Sequence, residues 1–135
     1  MSKIVGIGNA LVDIVLDLDS EKVLKENAIP KGSKEHVNKK KFDQIYNALD
    51  ISQATVSSGG SAANTISALG NLGFDTSFLG VAANDEYGKL FESEMSDSGI
   101  KLNLIKKEGE TGKILHLISS DKEATTIGYS GVNSK

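Results

Sequence analysis

Residues Ser57–Thr65 read "SSGGSAANT" and set two adjacent glycines between segments of different period. Before them, "ATVSS" (54–58) has the extended, β-branched character of a strand. After them, "SAANTISALGNLG" (61–73) carries Ile66 and Leu69 at helical spacing and runs to Gly73, a C′ glycine. Two readings of this junction are open. In one, Gly59 and Gly60 bring bare main chain against a bound molecule, the helix N-terminus presents unpaired N–H groups, and Asn64 donates and accepts beside them. In the other, the glycines make a tight turn and Ser58 or Ser61 caps the helix. Spacing alone does not choose between them.

Outward from this junction the pattern alternates. "KIVGIGNALVDIVLDLD" (3–19) reads as an apolar strand, an irregular step at Gly8–Asn9, and a second strand in which Ile14, Leu16 and Leu18 alternate with acidic residues and Val15. "SEKVLKENAI" reads as a short helix capped at Ser20 and broken at Pro30–Gly32, and "EHVN" as a short strand. "KKFDQIYNAL" spaces Phe42, Ile45, Tyr46 and Leu49 as an amphipathic helix, and "ISQATVSS" is expected to be extended. Downstream come a strand in "FDTSFLGVAAND", a helix in "EYGKLFESEMSDSG", a strand in "IKLNLIKK", and a hairpin of "TGKILHLISS" and "EATTIGYSG" turning at Asp121–Glu123. Strands alternating with helices imply an α/β fold on a mainly parallel sheet, with the hairpin and the Asp13–Asp19 run as a smaller antiparallel addition. Such a sheet is covered on both faces, and few residues follow the hairpin to do so. The sequence is therefore expected to be part of a larger domain.

The 135 residues suit one core, at 39% hydrophobic and 24% charged. A net charge of −3 gives no reason to expect a nucleic-acid partner. All fifteen basic residues are Lys, so a bound phosphate would be met by backbone N–H groups or ammonium and never by a guanidinium fork. The absence of Cys excludes disulfides and thiolate metal sites, and His36 and His116 have no metal-ligand spacing. No apolar run nears the roughly 20 residues of a membrane span, and Asn9 and Asp13 interrupt any signal-peptide core. A cytoplasmic protein without a membrane partner is the expectation.

Asn9 stands at the irregular step beyond an apolar strand, where α/β proteins bind ligands, and the Asp13 carboxylate can accept two hydrogen bonds from a vicinal diol. The simpler reading puts Asp13 with Asp17 and Asp19 on one solvated strand face. "GIGNAL" offers Gly6 and Gly8 to a dinucleotide fingerprint, but Leu11 replaces its third glycine and no helix follows at once. His116 shares a face with Ile114 and Ile118 and reads as a packed or edge histidine. Lys39–Lys41 reads as a solvated helix start.

"GGSAANTISALGNLG" resembles the first signature of the ribokinase-like (PfkB) family of sugar and nucleoside kinases: a glycine pair, a small residue, an asparagine three residues on, and Leu-Gly near the helix end. "GNALVDI" is similar to that family's N-terminal substrate motif, with Asn9 and Asp13 at the matching positions. "FLGVAANDEYGKLFESEMSDSGI" resembles its usual continuation, with Gly80, Asp85, Gly88 and Gly99 in order, and "TGKILHLISSDKEATT" resembles its lid hairpin. The helix at Phe42–Leu49 is more similar to the adenosine kinase-like branch than to ribokinase.

The resemblance implies a three-layer ribokinase-like fold with a small β lid, its lid strands near 13–19, 34–38 and 112–130. It implies substrate contacts from Asn9, Leu11, Asp13, Gly59, Gly60, Ser61 and Asn64, with Ile114 and His116 covering the pocket from a lid strand. ATP and Mg2+ are implied as cofactors, and a sugar or nucleoside is implied as the substrate, phosphorylated on a hydroxymethyl group. The family's catalytic Asp, anion hole and nucleotide site belong to later motifs that this sequence lacks. No catalytic or metal residue is therefore assigned, and the chain alone is expected to be inactive. Where the family's lid carries Arg-Thr, Ala124-Thr125 stands here, or Glu123 under a shifted alignment, so the resemblance does not carry the lid's phosphate contact over to this chain. The alternatives are a stand-alone polyol-binding module, a module that dimerises through its lid strands, and an NAD-binding Rossmann domain resting on "GIGNAL" alone.

Overall fold

The computed structural model describes residues 2–134. Its strands are β1 (Ile4–Ile7), β2 (Leu11–Asp17), β3 (Lys34–His36), β4 (Thr55–Gly59), β5 (Thr76–Ala83), β6 (Lys101–Lys107), β7 (Gly112–Ile118) and β8 (Ala124–Tyr129). Its α-helices are α1 (Lys22–Glu26), α2 (Lys39–Asn47), α3 (Ser61–Asn71) and α4 (Glu86–Asp97). Hydrogen bonding orders the strands as a three-stranded sheet, β1-β5-β6, and a five-stranded sheet, β3-β8-β7-β2-β4. The chain divides into two compact units, the first comprising residues 1–12, 57–112 and 130–135 and the second residues 13–56 and 113–129.

In the first unit β1 pairs with β5 in parallel from Ile4↔Thr76 to Ile7↔Leu79, and β5 with β6 from Ser77↔Lys101 to Ala83↔Lys107. Parallel neighbours need a long crossover, and α3 and α4 supply it, α3 lying on β1 and β5 and α4 on β5 and β6. Both helices end as the sequence requires, before Gly73 (φ +91°) and Gly99 (φ +75°). Their inward residues Ala63, Ile66, Phe91 and Met95 are buried together with Phe78 and Ala82, and the rings of Phe78 and Phe91 lie 5.8 Å apart at 52°. The opposite sheet face is apolar and bare: Val5, Ile7, Leu79 and Ile105 are 57%, 72%, 37% and 54% exposed.

In the second unit β7 and β8 form the expected antiparallel hairpin, from Lys113↔Tyr129 to Ile118↔Ala124, and β3 pairs with β8 in parallel. Strand alternation sends Ile14, Leu16, Leu115, Leu117, Thr125 and Ile127 to a buried face, and Val23, Leu24, Phe42 and Ile45 of α1 and α2 are buried with them. Asn38 caps α2 by accepting from Lys41 N at 2.9 Å. Lys113 is buried on this face, its Nζ 5.6 Å, 5.7 Å and 5.9 Å from the ring centroids of Phe42, Tyr46 and Tyr129. A cation thus enters an apolar core against three π faces.

Two local expectations are corrected. Residues Ile51–Gln53 form a 3₁₀ turn and not extended chain, because Asp50 Oδ1 accepts from Ser52 N at 3.2 Å and closes an Asx turn. Helix α1 begins after Glu21 without a side-chain cap; Ser20 Oγ reaches only Lys22 N, at 3.4 Å.

Candidate ligand-binding site

In the first unit the two glycine-bearing segments meet. Gly8 N donates to Leu79 O at 3.2 Å, so the ladder of β1 ends at the start of the Gly8–Ala10 loop. A Cβ on Gly8 would stand 2.8 Å from Ala62 Cβ, and one on Gly60 would stand 2.6 Å from the Asn9 carbonyl oxygen. Gly60 also takes φ +100°, ψ +133°, a conformation L side chains rarely adopt. Both reasons for glycine, unusual dihedral and close approach, thus fall on this residue, while Gly59 is the buried last residue of β4.

The capping alternative does not hold. Gly60 is the N-cap of α3 and no side chain caps the helix. Ser58 is engaged otherwise, its N–H donating to Glu94 Oε1 at 2.8 Å, and the Ser61 carbonyl accepts Thr65 Oγ1. The first turn keeps its backbone donors free of side-chain caps, beside exposed Asn9, Ser61 and Asn64. Asn133 Nδ2 donates to Ala10 O at 3.0 Å and holds the loop from the C-terminal side. Sequence reasoning missed this brace, since a lone Asn in a 3₁₀ turn carries no periodic signal. Half-buried Leu11 is fixed by Gly112, where a Cβ would come within 2.5 Å of Leu11 Cδ2.

In the second unit Asp13 lies between buried Ile14 and Val12 in sequence, and His116 between buried Leu115 and Leu117. Alternation turns both side chains to the other sheet face, where His116 Nε2 and Asp13 Oδ1 are 3.0 Å apart and the side chains are 31% and 24% exposed. Asp13 is therefore unlike exposed Asp17, with which the simpler reading grouped it, and His116 is more than a packed edge residue. Ile114 is half-buried on the same face of β7.

Asp85 shows the contrast a structural carboxylate makes. As N-cap of α4 it accepts Gly88 N (2.8 Å) and Thr111 Oγ1 (2.6 Å) on Oδ1 and Thr111 N (2.9 Å) on Oδ2, while Thr111 Oγ1 accepts Ala83 N (3.1 Å). Thr111 is fully buried. The clasp joins the end of β5, the start of α4 and the start of β7.

Among the described residues no group of three or more His, Asp or Glu gathers as a metal site, and the chain contains no Arg. No residue here is assigned to Mg2+ or to a polyphosphate. Gly6 and Gly8 lead from strand to strand, so no helix N-terminus follows them as a dinucleotide fingerprint needs. No helix among the described residues is long and apolar enough to cross a membrane.

A parallel β/α sheet with glycine-cornered loops beyond the end of its first strand defines an α/β protein, a class whose members bind small molecules at strand ends. Residues 37–135 match the pfkB family carbohydrate kinase profile, and the chain belongs to that family. Its fold is the ribokinase-like α/β fold of the structures it matches. The ATP-dependent ribose-1-phosphate kinase of Halopiger xanaduensis is 33% identical over 79 residues, 57% of this chain and 27% of that protein. The "probable sugar kinase protein" of Rhizobium etli superposes with a TM-score of 0.81 at 26% identity, over 96% of this chain and 39% of its own. Adenosine kinase of Sinorhizobium meliloti superposes with a TM-score of 0.79 at 28% identity, over 96% and 39%. The chain spans well under half the length of these relatives.

Proposed function

We propose that this chain is the substrate-recognising part of an ATP-dependent sugar or nucleoside kinase that phosphorylates a hydroxymethyl group. The observation that carries the reading is the apposition of Gly60 on the Asn9 carbonyl, at a helix start that no side chain caps. That arrangement leaves main-chain donors and the Asn9, Ser61 and Asn64 side chains to meet ring hydroxyls. In the first unit Gly59 and Gly60 form the bare main chain and Leu11 offers apolar contact; in the second, by itself, Asp13 with His116 accepts a vicinal diol and Ile114 offers apolar contact. The names of the relatives, a ribose-1-phosphate kinase and an adenosine kinase among them, support a ribose-containing substrate.

ATP and Mg2+ are the cofactors this reading carries from the family, without residues of this chain to hold them. In-line phosphoryl transfer needs a positioned nucleotide and charge stabilisation. The chain is accordingly proposed to bind its polyol without phosphorylating it, in the cytoplasm, with no catalytic or metal residue of its own. Calorimetry with adenosine, D-ribose and ribose 1-phosphate, beside an ATP-dependent phosphorylation assay, tests this. Binding without turnover is expected; turnover by residues 1–135 would refute the division of labour, and no binding would refute the recognition role. Mass measurement in the same samples distinguishes a monomer from a homodimer built through strands near 13–19, 34–38 and 112–130.

A further inference from the structure

We infer that His116 is a positioning residue: it locks the Asp13 carboxylate so that Oδ2 is presented to a ligand diol. The inference rests on the polyol reading above. Three observations lead to it. The hydrogen bond between His116 Nε2 and Asp13 Oδ1 spans 103 residues of sequence and closes at 3.0 Å. Both residues sit on strands whose alternate side chains are fixed in the core, Val12 and Ile14 on one and Leu115 and Leu117 on the other, each at 0% exposure. And Oδ2 of Asp13 accepts no hydrogen bond from any described residue, although the side chain is three-quarters covered.

The physical consequence concerns the end of a flexible side chain. The χ2 torsion of an aspartate is broad and roughly two-fold, so a free carboxylate gives up orientational freedom whenever it receives a diol. Donation from the imidazole Nε2–H removes that freedom before the ligand arrives, which is preorganisation. It also fixes the ring tautomer, since the nitrogen facing the carboxylate must carry the hydrogen. His116 pairs across the hairpin with Thr126, so its strand position is set by the β7–β8 register. A ligand hydroxyl then meets Oδ2 as an acceptor already aimed, while the ring touches the carboxylate and not the reacting atoms.

The test uses the full 135-residue chain with adenosine and 2′-deoxyadenosine as probes. His116→Leu is expected to weaken adenosine binding roughly tenfold, the size of one hydrogen bond to a charged group, and His116→Gln, which keeps a donor near Nε2, to restore it to within about threefold. Because His116 acts through Asp13, adding His116→Leu to Asp13→Asn should cost nothing further. The effect should also shrink for 2′-deoxyadenosine, which lacks the diol. Nitrogen-15 spectra of the ligand-free chain should show the Nε2–H tautomer of His116. A Nδ1–H tautomer, or an additive double variant, overturns the positioning role even if Asp13→Asn alone weakens binding and so upholds the polyol reading. If the unaltered chain binds neither probe, that reading falls and this role falls with it.

Discussion

Asp85, just past the end of β5, and Asp13, within β2, are both half-buried aspartates, and they use their two oxygens differently. Asp85 spends both oxygens on the protein, accepting from Gly88 N, Thr111 Oγ1 and Thr111 N. Asp13 gives one oxygen to His116 and keeps the other open. A buried carboxylate whose acceptors are filled adds to the stability of the fold. One with an aimed, unfilled acceptor is held ready for a partner from outside. On the proposed reading, what separates structure from recognition is the count of satisfied acceptors; residue type and burial are alike.

Removing the filled carboxylate should have the largest effect. Asp85→Ala deletes a helix cap and strands the N–H groups of Gly88 and Thr111, the latter fully buried. A cap is worth about 1 kcal/mol and each stranded buried donor about 1–3, so a loss of about 4 kcal/mol is expected in urea unfolding. A loss below about 1 kcal/mol would show that Thr111 finds another partner and would dissolve the contrast with Asp13. Next comes the glycine that lies on the recognition side of the first unit. Gly60→Ala places a Cβ 2.6 Å from the Asn9 carbonyl oxygen at φ +100°, for which about 3 kcal/mol is expected. Adenosine affinity should fall with it, as the Asn9 loop is pushed away. Unchanged stability together with unchanged affinity would mean that the two segments separate freely.

How far the sequence foretold this follows the range of the forces involved. The alternation of β2 and β7, the helical spacing of Phe42 and Ile45, and the glycine ends of α3 and α4 are encoded within a few residues, and each element stands near its expected bounds. Local turn chemistry was harder. Asp50 closes an Asx turn where an extended run was expected, and no serine caps α3. Contacts between distant residues left no local trace: Asn133 on Ala10 O, Thr111 on Asp85, Lys113 among three rings, and His116 on Asp13. Asn9 and Asp13 could be singled out because a known motif spaces them. Nothing in the spacing of one strand showed which acidic residue of Asp13, Asp17 and Asp19 would be the sheltered one.

Asp13→Ala sharpens the comparison from the other side. Its side chain makes one hydrogen bond, to a half-exposed histidine, so the unfolding free energy should change by less than about 1 kcal/mol. Adenosine affinity should fall about 30-fold, corresponding to the loss of a charged acceptor. An unfolding loss as large as that of Asp85→Ala, with affinity intact, would assign Asp13 to the fold and take it out of recognition.

The smallest effect belongs to a third aspartate, on the surface. Asp121, in the hairpin turn, is held below the usual carboxylate range first by the hydrogen bond from Lys31 and then by the backbone N–H of Glu123. Lys31 is raised above its ordinary value first by Asp121 and then by Glu21, whose Oε1 lies 2.7 Å from Nζ. The signs differ at the two ends. The depressed carboxyl contributes stability above an ordinary Asp pKa of about 3.9 and loses it as pH falls through its lower folded value. The raised ammonium contributes below an ordinary Lys pKa of about 10.4 and loses it as pH rises through its higher folded value. Lys31→Met should therefore lower the thermal midpoint slightly and evenly between about pH 5 and pH 9, with the difference closing at both extremes and shrinking in 0.5 M salt, since the groups are solvated. A difference that persists at pH 2 and in salt would show that the Lys31 stem acts by packing and not by charge. Asp121 would then be neither a filled nor an open acceptor, only a solvated one, and acceptor filling would order two of the three aspartates instead of all of them.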